Sequence, residues 1–206
     1  MHEAFAAYAA RSAADAKHFK PLETNARIFP NDWAPIITWH DGKRVVSPMR
    51  YRVHPHWSHD ELPSKYNLFN ARLDALRTRR TWKPLLQKNH GLLVFERFFE
   101  WVVDRQTGKK NLVSFGPLGR DVMWCPVLFD HWVAPVLSES ITSFAVITGD
   151  PPAEVLAAGH DRCPIFLRRD VMDSWLNPVG QSVDQTLKLL HIQEVATLEH
   201  EPVVAA

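Results

Sequence analysis

The chain has 206 residues, 46% of them hydrophobic, which is enough for one buried core and does not require two domains. Lysine and arginine number 24 against 23 aspartate and glutamate residues, and the net charge of +1 excludes a strong overall attraction to nucleic acids or membranes. An anion-binding site must therefore be a local cluster of side chains.

The cysteine content and the hydropathy of the chain indicate its compartment. Cys125 and Cys163 are too few for a disulfide framework, and no secretory signal leads the chain. No apolar stretch approaches the roughly 20 residues that span a bilayer. We expect a soluble, cytoplasmic monomer with no membrane partner.

The first predicted element is an amphipathic helix over residues 2–19, an alanine-rich stretch with Phe5 and Tyr8 three positions apart. Between residues 30 and 60, prolines interrupt short β-like runs. Within this region Asp41-Gly42 is a dipeptide typical of a tight hairpin, so the region is predicted to be sheet.

The middle of the chain is rich in β-forming residues. Residues 91–104 form one such run, which turns back through Thr107-Gly108 into a second strand. Residues 122–133 and 143–148 predict further buried strands.

Helices are predicted after these strands. The stretch GDPPAEVLAAG (149–159) has prolines in its first turn and a glycine at its end. Residues 168–176 and 182–191 follow as helices, and Ser182 and Gln185 have the spacing of a capping box.

Strands outnumber helices and do not alternate with them, which favours an α+β fold. We expect a single domain over residues 1–206 with a curved, barrel-like mixed β-sheet flanked by short helices. Its amino-terminal helix would cover residues 1–20, and a carboxy-terminal helix and tail would cover residues 180–206.

Two pairs of polar residues are candidates for a site. If residues 160–163 are extended, His160 and Arg162 project to one face while Cys163 projects to the other. Asn70 and Arg72 repeat this spacing. The alternatives are a satisfied polar end of a core strand for the first pair and a solvated loop for the second.

Glu100 is a carboxylate among aromatic side chains, between Phe99 and Trp101. Desolvation in such surroundings raises the pKa of a carboxyl group and favours proton exchange. A carboxylate at the rim of the protein beside Arg97 is the alternative.

His54, His56 and His59 resemble metal ligands in their spacing. Pro55 and the lack of a fourth ligand favour a solvated turn instead. We expect no metal and no cofactor.

The order of several strings in the chain closely resembles the SOS response-associated peptidase (SRAP) family over about residues 28 to 178. The family string RWGLIPxW is matched by Met49-Arg50-Tyr51 to Trp57, and NARSET is matched by Asn70-Ala71-Arg72 with Asp74 for Glu. The string RCLxPADGFYEW is matched by Phe98, Glu100 and Trp101, with Phe99 for Tyr. The string HxRMP is matched by His160, Arg162 and Pro164, with Cys163 for Met. The cysteine, proline and glycine of the third string are missing here.

The resemblance implies a function in DNA damage: binding of abasic sites in single-stranded DNA. It implies covalent attachment through an amino-terminal cysteine, whose α-amino group attacks the sugar aldehyde and whose thiol closes a thiazolidine. Autoproteolytic removal of the initiator methionine would expose that cysteine.

The resemblance also assigns roles to residues. Glu100 would shuttle protons, His160 would assist opening of the sugar ring, and Asn70 would orient the reacting end. Arg72 and Arg162 would hold phosphates beside the lesion, and bases would stack on an aromatic residue such as Trp57, so these three are the expected DNA-binding residues.

The chain begins Met1-His2, whereas the family begins Met-Cys. Three explanations stay open: a true start further upstream, which we favour; a diverged homologue that binds DNA without a covalent bond; and a nucleophile relocated to Cys163 or Cys125, which we rank last. Whether the chain is an enzyme stays open with them. The alternative function is a non-covalent single-stranded DNA-binding module without catalytic activity.

Overall fold

The computed structural model describes residues 27–63, 65–104, 107–119, 122–135, 140–194 and 197–203. The helix predicted at the amino terminus lies outside these residues. Among the described helices, none is both long enough and apolar enough to cross a membrane.

The described strands are β1 (Trp33–His40), β2 (Lys43–Tyr51), β3 (Asn70–Arg72), β4 (His90–Phe95), β5 (Phe98–Val103), β6 (Lys110–Pro117), β7 (Met123–Val133), β8 (Ser140–Gly149), β9 (Cys163–Pro164) and β10 (Leu198–Pro202). The described helices are α1 (Ala153–Ala158), α2 (Met172–Leu176) and α3 (Val183–Leu189), and 3-10 helices cover Leu73–Ala75 and Arg169–Val171. The predicted α+β class is confirmed.

Five strands close into a mixed barrel. Strands β2, β1, β4, β7 and β8 are neighbours in that order through antiparallel pairing, and a short parallel pairing of β2 with β8 returns to the start. Strand β8 also pairs with β3 and β9. The curved, barrel-like mixed sheet predicted from the sequence is confirmed.

The hairpin between β1 and β2 forms at the predicted dipeptide. His40 pairs with Lys43, and the two residues between them have positive φ angles, 48° at Asp41 and 78° at Gly42. This is the backbone of a type I′ turn, whose twist matches that of the flanking strands.

The run predicted as one strand over residues 91–104 is two strands in different sheets. Strand β4 belongs to the barrel, whereas β5 pairs with β6 in a second, three-stranded antiparallel sheet. The chain breaks at Glu96-Arg97, where Arg97 turns across the second sheet: its Nε donates to Ser114 Oγ at 2.5 Å, and its Nη1 lies 3.3 Å from Glu199 Oε1. A charged side chain held this way cannot continue a buried barrel strand.

The carboxy-terminal segment contains more structure than the predicted helix and tail. Helix α3 begins with the predicted capping box, in which Ser182 Oγ accepts from the Gln185 N–H. The segment then adds β10, which pairs with β6. Its residues after Leu198 are exposed, and so polar a strand gives little hydrophobic pattern in the sequence.

Helix α1 packs on one face of the second sheet. Val155 of α1 is fully buried in a cluster with Val102, Val113 and Phe115 from the sheet. Cys163 lies in the same cluster. This packing fixes the carboxy-terminal end of α1 against β5, and the candidate site forms at that contact.

Candidate functional site

Glu100 and His160 form a close polar pair, although they lie 60 positions apart in the chain. Nε2 of His160 lies 3.2 Å from Oε2 of Glu100, and both side chains are largely shielded from solvent, with 22% and 27% exposure. Glu100 projects from the middle of β5, and His160 follows α1. The alternative of a rim carboxylate beside Arg97 is wrong, because Arg97 turns to Ser114 and β10.

The end of α1 places His160. Gly159 adopts φ of 103°, its N–H donates to Leu156 O at 3.0 Å, and the His160 N–H donates to Val155 O at 3.1 Å. These two hydrogen bonds form a Schellman motif, which ends the helix in a fixed geometry. A Cβ on Gly159 would lie 3.0 Å from Val102 Cγ1, so the helix end contacts β5 closely.

The expectation that His160 and Arg162 share a face of an extended strand is wrong. Strand β9 covers only Cys163–Pro164, and the preceding residues form a turn in which His160 Nδ1 lies 2.9 Å from the Arg162 carbonyl oxygen. The helix cap dictates this turn, which the spacing of residues could not indicate. Cys163 nevertheless points into the core, as predicted.

The contacts of His160 define how a proton is shared. Because a carbonyl oxygen only accepts, Nδ1 carries a proton and donates it to Arg162 O. Nε2 faces the Glu100 carboxyl group across 3.2 Å, a distance at which one proton can form a hydrogen bond between them. Burial raises the pKa of Glu100, and the His160 charge opposes this rise. Such a pair can transfer a proton to and from a bound molecule.

Strands β3, which contains Asn70 and Arg72, and β9 flank the last part of β8 on opposite sides. Arg72 pairs in register with Thr148, and Thr148 pairs on its other side with Pro164. The segment is extended, which is the condition for Asn70 and Arg72 to share a face, and the solvated-loop alternative is wrong. Asn70 follows Phe69, whose ring packs edge-on against Tyr51 at 5.9 Å between centroids.

Tyr51 connects this segment to Glu100. Burial raises the pKa of Tyr51, and the Glu100 charge raises it further, so the phenol and the carboxyl group are within electrostatic range. Tyr51 therefore contacts the Asn70 segment through Phe69, and its phenol is within electrostatic range of Glu100.

Both candidate arginines have carboxylate neighbours. Arg72 makes two hydrogen bonds to Asp74, Nε to Oδ1 at 3.0 Å and Nη2 to Oδ2 at 2.5 Å. Nη2 of Arg162 lies 4.0 Å from Asp161 Oδ2. The hydrogen bond from Arg72 lowers the pKa of Asp74, and the Arg162 charge also lowers it, so both guanidinium groups lie within range of one carboxylate. The sequence analysis named Asp74 only as a substitution in a family string and missed its pairing with Arg72, although the two-residue spacing was a usable signal.

Trp57 lies in the turn after β2, under the side chain of Arg80. The Arg80 guanidinium carbon is 4.0 Å from the centroid of the Trp57 ring, a cation–π contact that covers one face. A base that stacks on Trp57 would use the opposite face or displace Arg80.

The solvated turn expected for the three histidines is wrong for His54. This residue is buried and stacks on Trp132 at 4.1 Å between ring centroids. His56 Nδ1 instead lies 2.9 Å from the buried Asp130 carboxylate. Within the described ranges, no three His, Cys, Asp or Glu side chains converge as a metal site requires.

Neither cysteine is placed to act as a nucleophile. Cys125 is fully buried and Cys163 is 2% exposed. Burial raises the pKa of both thiols, which keeps them protonated and unreactive.

The structural class of this protein is defined by a closed mixed barrel with a second antiparallel sheet, on which helix α1 packs so that the residue after its end, His160, meets Glu100. The chain belongs to the SRAP family: the family model described as SOS response associated peptidase matches residues 1–206.

Curated relatives are abasic site processing proteins by name. HMCES of Xenopus tropicalis is 28% identical in an alignment of 182 positions that covers 78% of this chain and 53% of that protein. HMCES of Pongo abelii is 26% identical over 75% of this chain and 51% of its own length. YoqW of Bacillus subtilis is 24% identical over 75% of this chain and 67% of its length. The chain thus spans about half the length of the vertebrate relatives it matches.

Solved structures share the fold. A protein from Bacteroides thetaiotaomicron aligns with a TM-score of 0.74 at 18% identity, covering 93% of this chain and 82% of that one. A protein from Bordetella bronchiseptica aligns with a TM-score of 0.72 at 18% identity, covering 94% and 96%.

Proposed function

We propose that this protein binds abasic sites in single-stranded DNA, with the lesion at Glu100 and His160 and the flanking phosphates at Arg72 and Arg162. The observation that carries the proposal is the 3.2 Å contact between Glu100 and His160 in a chain whose relatives are named abasic site processing proteins. An abasic sugar is largely closed, and opening it to the aldehyde moves protons between ring and hydroxyl oxygens. A pair that shares one proton supports this step.

The remaining roles follow from position. Asn70 would hydrogen-bond the reacting end, since its segment adjoins Tyr51 and through it Glu100. Arg72 and Arg162 would contact phosphates as charge-assisted donors. Trp57 would offer one ring face to an unstacked base.

The covalent step is a further part of the proposal. A mature protein with an amino-terminal cysteine would attack the aldehyde with its α-amino group and close a thiazolidine with its thiol, releasing one water molecule overall. Autoproteolytic loss of the initiator methionine would expose that cysteine. Mass spectrometry of the purified protein tests this loss directly.

The test compares a single-stranded oligonucleotide that carries one abasic site with the same oligonucleotide undamaged. We expect tighter binding of the abasic strand, and Arg72→Ala should weaken it by about tenfold. Arg168→Ala is the matched control, because Arg168 pairs with Asp170 in the same local geometry at another place in the fold. Equal affinity for both oligonucleotides, or equal effects of the two substitutions, would overturn the proposal.

A second candidate function is a non-covalent single-stranded DNA-binding module, which the buried state of both cysteines favours. Abasic-strand capture that survives denaturant indicates the covalent function. Binding that salt reverses completely indicates the module.

A further inference from the structure

The Arg72–Asp74 pair is a locally determined motif that occurs twice in the described chain. Arg72 directly precedes the 3-10 helix Leu73–Ala75, and Asp74 lies in its first turn. Arg168 and Asp170 have the same relation to the helix Arg169–Val171, with two hydrogen bonds of 2.6 Å. The backbone therefore sets the pairing in both cases, and the surroundings of the candidate site do not create it.

Asp74 occupies only one edge of the guanidinium group. It accepts from Nε and from one hydrogen of Nη2, which leaves three of the five N–H donors of Arg72 for another partner. A phosphate can bind at this second edge while the first pair persists. The negative charge of Asp74 then lies at the opposite edge of the same guanidinium group, where it repels the phosphate.

Other carboxylates add to this effect. Asp161 lies 4.0 Å from Arg162, and the charges of Asp161 and Asp150 both reach Arg72. The arginines of the candidate site are thus balanced by negative charge.

We propose that Asp74 is a built-in counter-ion of Arg72 that weakens binding to undamaged single-stranded DNA, so that contacts with the lesion decide which DNA is retained. This inference rests on the proposed function. Its physical basis is that affinity for undamaged strands comes almost entirely from phosphate contacts, and a paired arginine contributes less to them. The lesion contacts of Glu100 and His160 are not reduced in this way.

The test uses the full chain with Asp74→Asn and an undamaged, fluorescently labelled single strand as the probe. Asparagine keeps the shape and can still accept from Arg72, but it removes the charge. We expect the undamaged strand to bind about threefold more tightly, with a steeper dependence on salt concentration. The concentration of undamaged competitor DNA that inhibits capture of the abasic strand should then be about threefold lower than for the parent chain.

Asp170→Asn is the matched control and should leave all of these measurements unchanged. Asp74→Ala should also tighten binding, since it removes the same charge. If both Asp74 variants bind the undamaged strand no better than the parent chain, while Arg72→Ala still weakens binding, the counter-ion inference is overturned and the proposed function stands. If Arg72→Ala has no effect, the failure lies in the proposed function.

Discussion

Glu100 is the residue on which the proposed chemistry depends, because burial raises the pKa of its carboxyl group. Replacing it by glutamine keeps its size and a polar contact to His160 but removes the exchangeable proton. In a chain that carries the amino-terminal Met-Cys of the family pattern, Glu100→Gln should slow abasic-strand capture by about 100-fold.

The affinity of the same variant for the DNA strand should change little, because the proposed phosphate contacts of Arg72 and Arg162 are retained. Capture rates come from denaturing gels and affinities from fluorescence anisotropy. Glu201→Gln, which affects only a contact with Arg97 on the second sheet, is the control. An unchanged capture rate in Glu100→Gln would remove the carboxyl group from the mechanism.

The two thiols give a second prediction at the scale of single residues. Since Cys125 is fully buried and Cys163 is 2% exposed, iodoacetamide should modify neither in the native protein. In denaturant it should modify both, and mass spectrometry counts the adducts. Rapid native modification of Cys163 would restore the idea of a relocated nucleophile.

Sequence patterns predicted the character of the site residues better than their geometry. The aromatic neighbours of Glu100 correctly indicated a desolvated carboxyl group with a raised pKa. The turn at His160 was missed because its conformation depends on the preceding helix cap, and the partner of His56 was missed because Asp130 lies on another strand.

Among the elements, the end of α1 sets the distance between Glu100 and His160. We therefore expect Gly159→Ala to impair capture. Its positive φ of 103° disfavours any side chain, and its added Cβ would press on Val102 Cγ1 at 3.0 Å. The strain should lower the free energy of unfolding by about 1–3 kcal/mol, and the shifted turn should slow capture of the abasic strand.

Gly180→Ala separates these two effects. Gly180 also has a positive φ, 80°, but a Cβ there would have no atom within 4 Å. It should lower stability to a similar degree and leave capture unchanged. Stability is measured by urea unfolding, and capture is measured at a temperature at which both variants are folded. Equal capture by the two variants would mean that Gly159 does not position His160.

Local signals explain which elements were predictable. Asp41-Gly42 fixes its hairpin and Ser182 with Gln185 caps α3, so each is specified within a few residues. The break at Arg97 and the strand β10 are not local, because they depend on each other: Glu199 and Glu201 of β10 contact the Arg97 side chain. A short stretch of sequence around either segment does not contain both Arg97 and the glutamates of β10, so local patterns cannot indicate their contact.

For the whole molecule, the closing parallel pair of β2 and β8 determines where the site forms. It involves only Arg50 with Ser143 and Tyr51 with Phe144, yet it completes the barrel and leaves the later part of β8 free to pair with β3 and β9. One strand thus brings three distant segments together. Such a long-range register has no signature in hydrophobic periodicity.

The stability of the whole protein should fall in mild acid, because two buried histidines must stay neutral. His90 is 2% exposed, donates from Nδ1 to Trp175 O at 2.7 Å, and accepts the Gln87 N–H at Nε2. Burial lowers its pKa to about 4. Burial and the Arg50 charge also lower the pKa of His54.

The direction of this pH dependence follows from the number of protons that the folded and unfolded chains bind. Unfolded histidine takes up a proton near pH 6.5, whereas folded His90 does so only near pH 4, so between these values the unfolded chain binds more protons. The stabilisation is complete above pH 6.5 and is lost as the pH falls toward 4. His90 alone should cost about 3 kcal/mol of unfolding free energy over this range.

Urea unfolding at a series of pH values measures this loss. His90→Gln should be less stable than the parent at pH 7.5, since the hydrogen bonds to Trp175 and Gln87 are disturbed, but its stability should fall less steeply with acid. His40→Gln, a change at an exposed histidine, should keep the parent slope. His90→Gln removes the contribution of this imidazole to the difference in bound protons. If the unfolding free energy of His90→Gln still falls with pH as steeply as that of the parent, carboxyl groups and not His90 control the acid response.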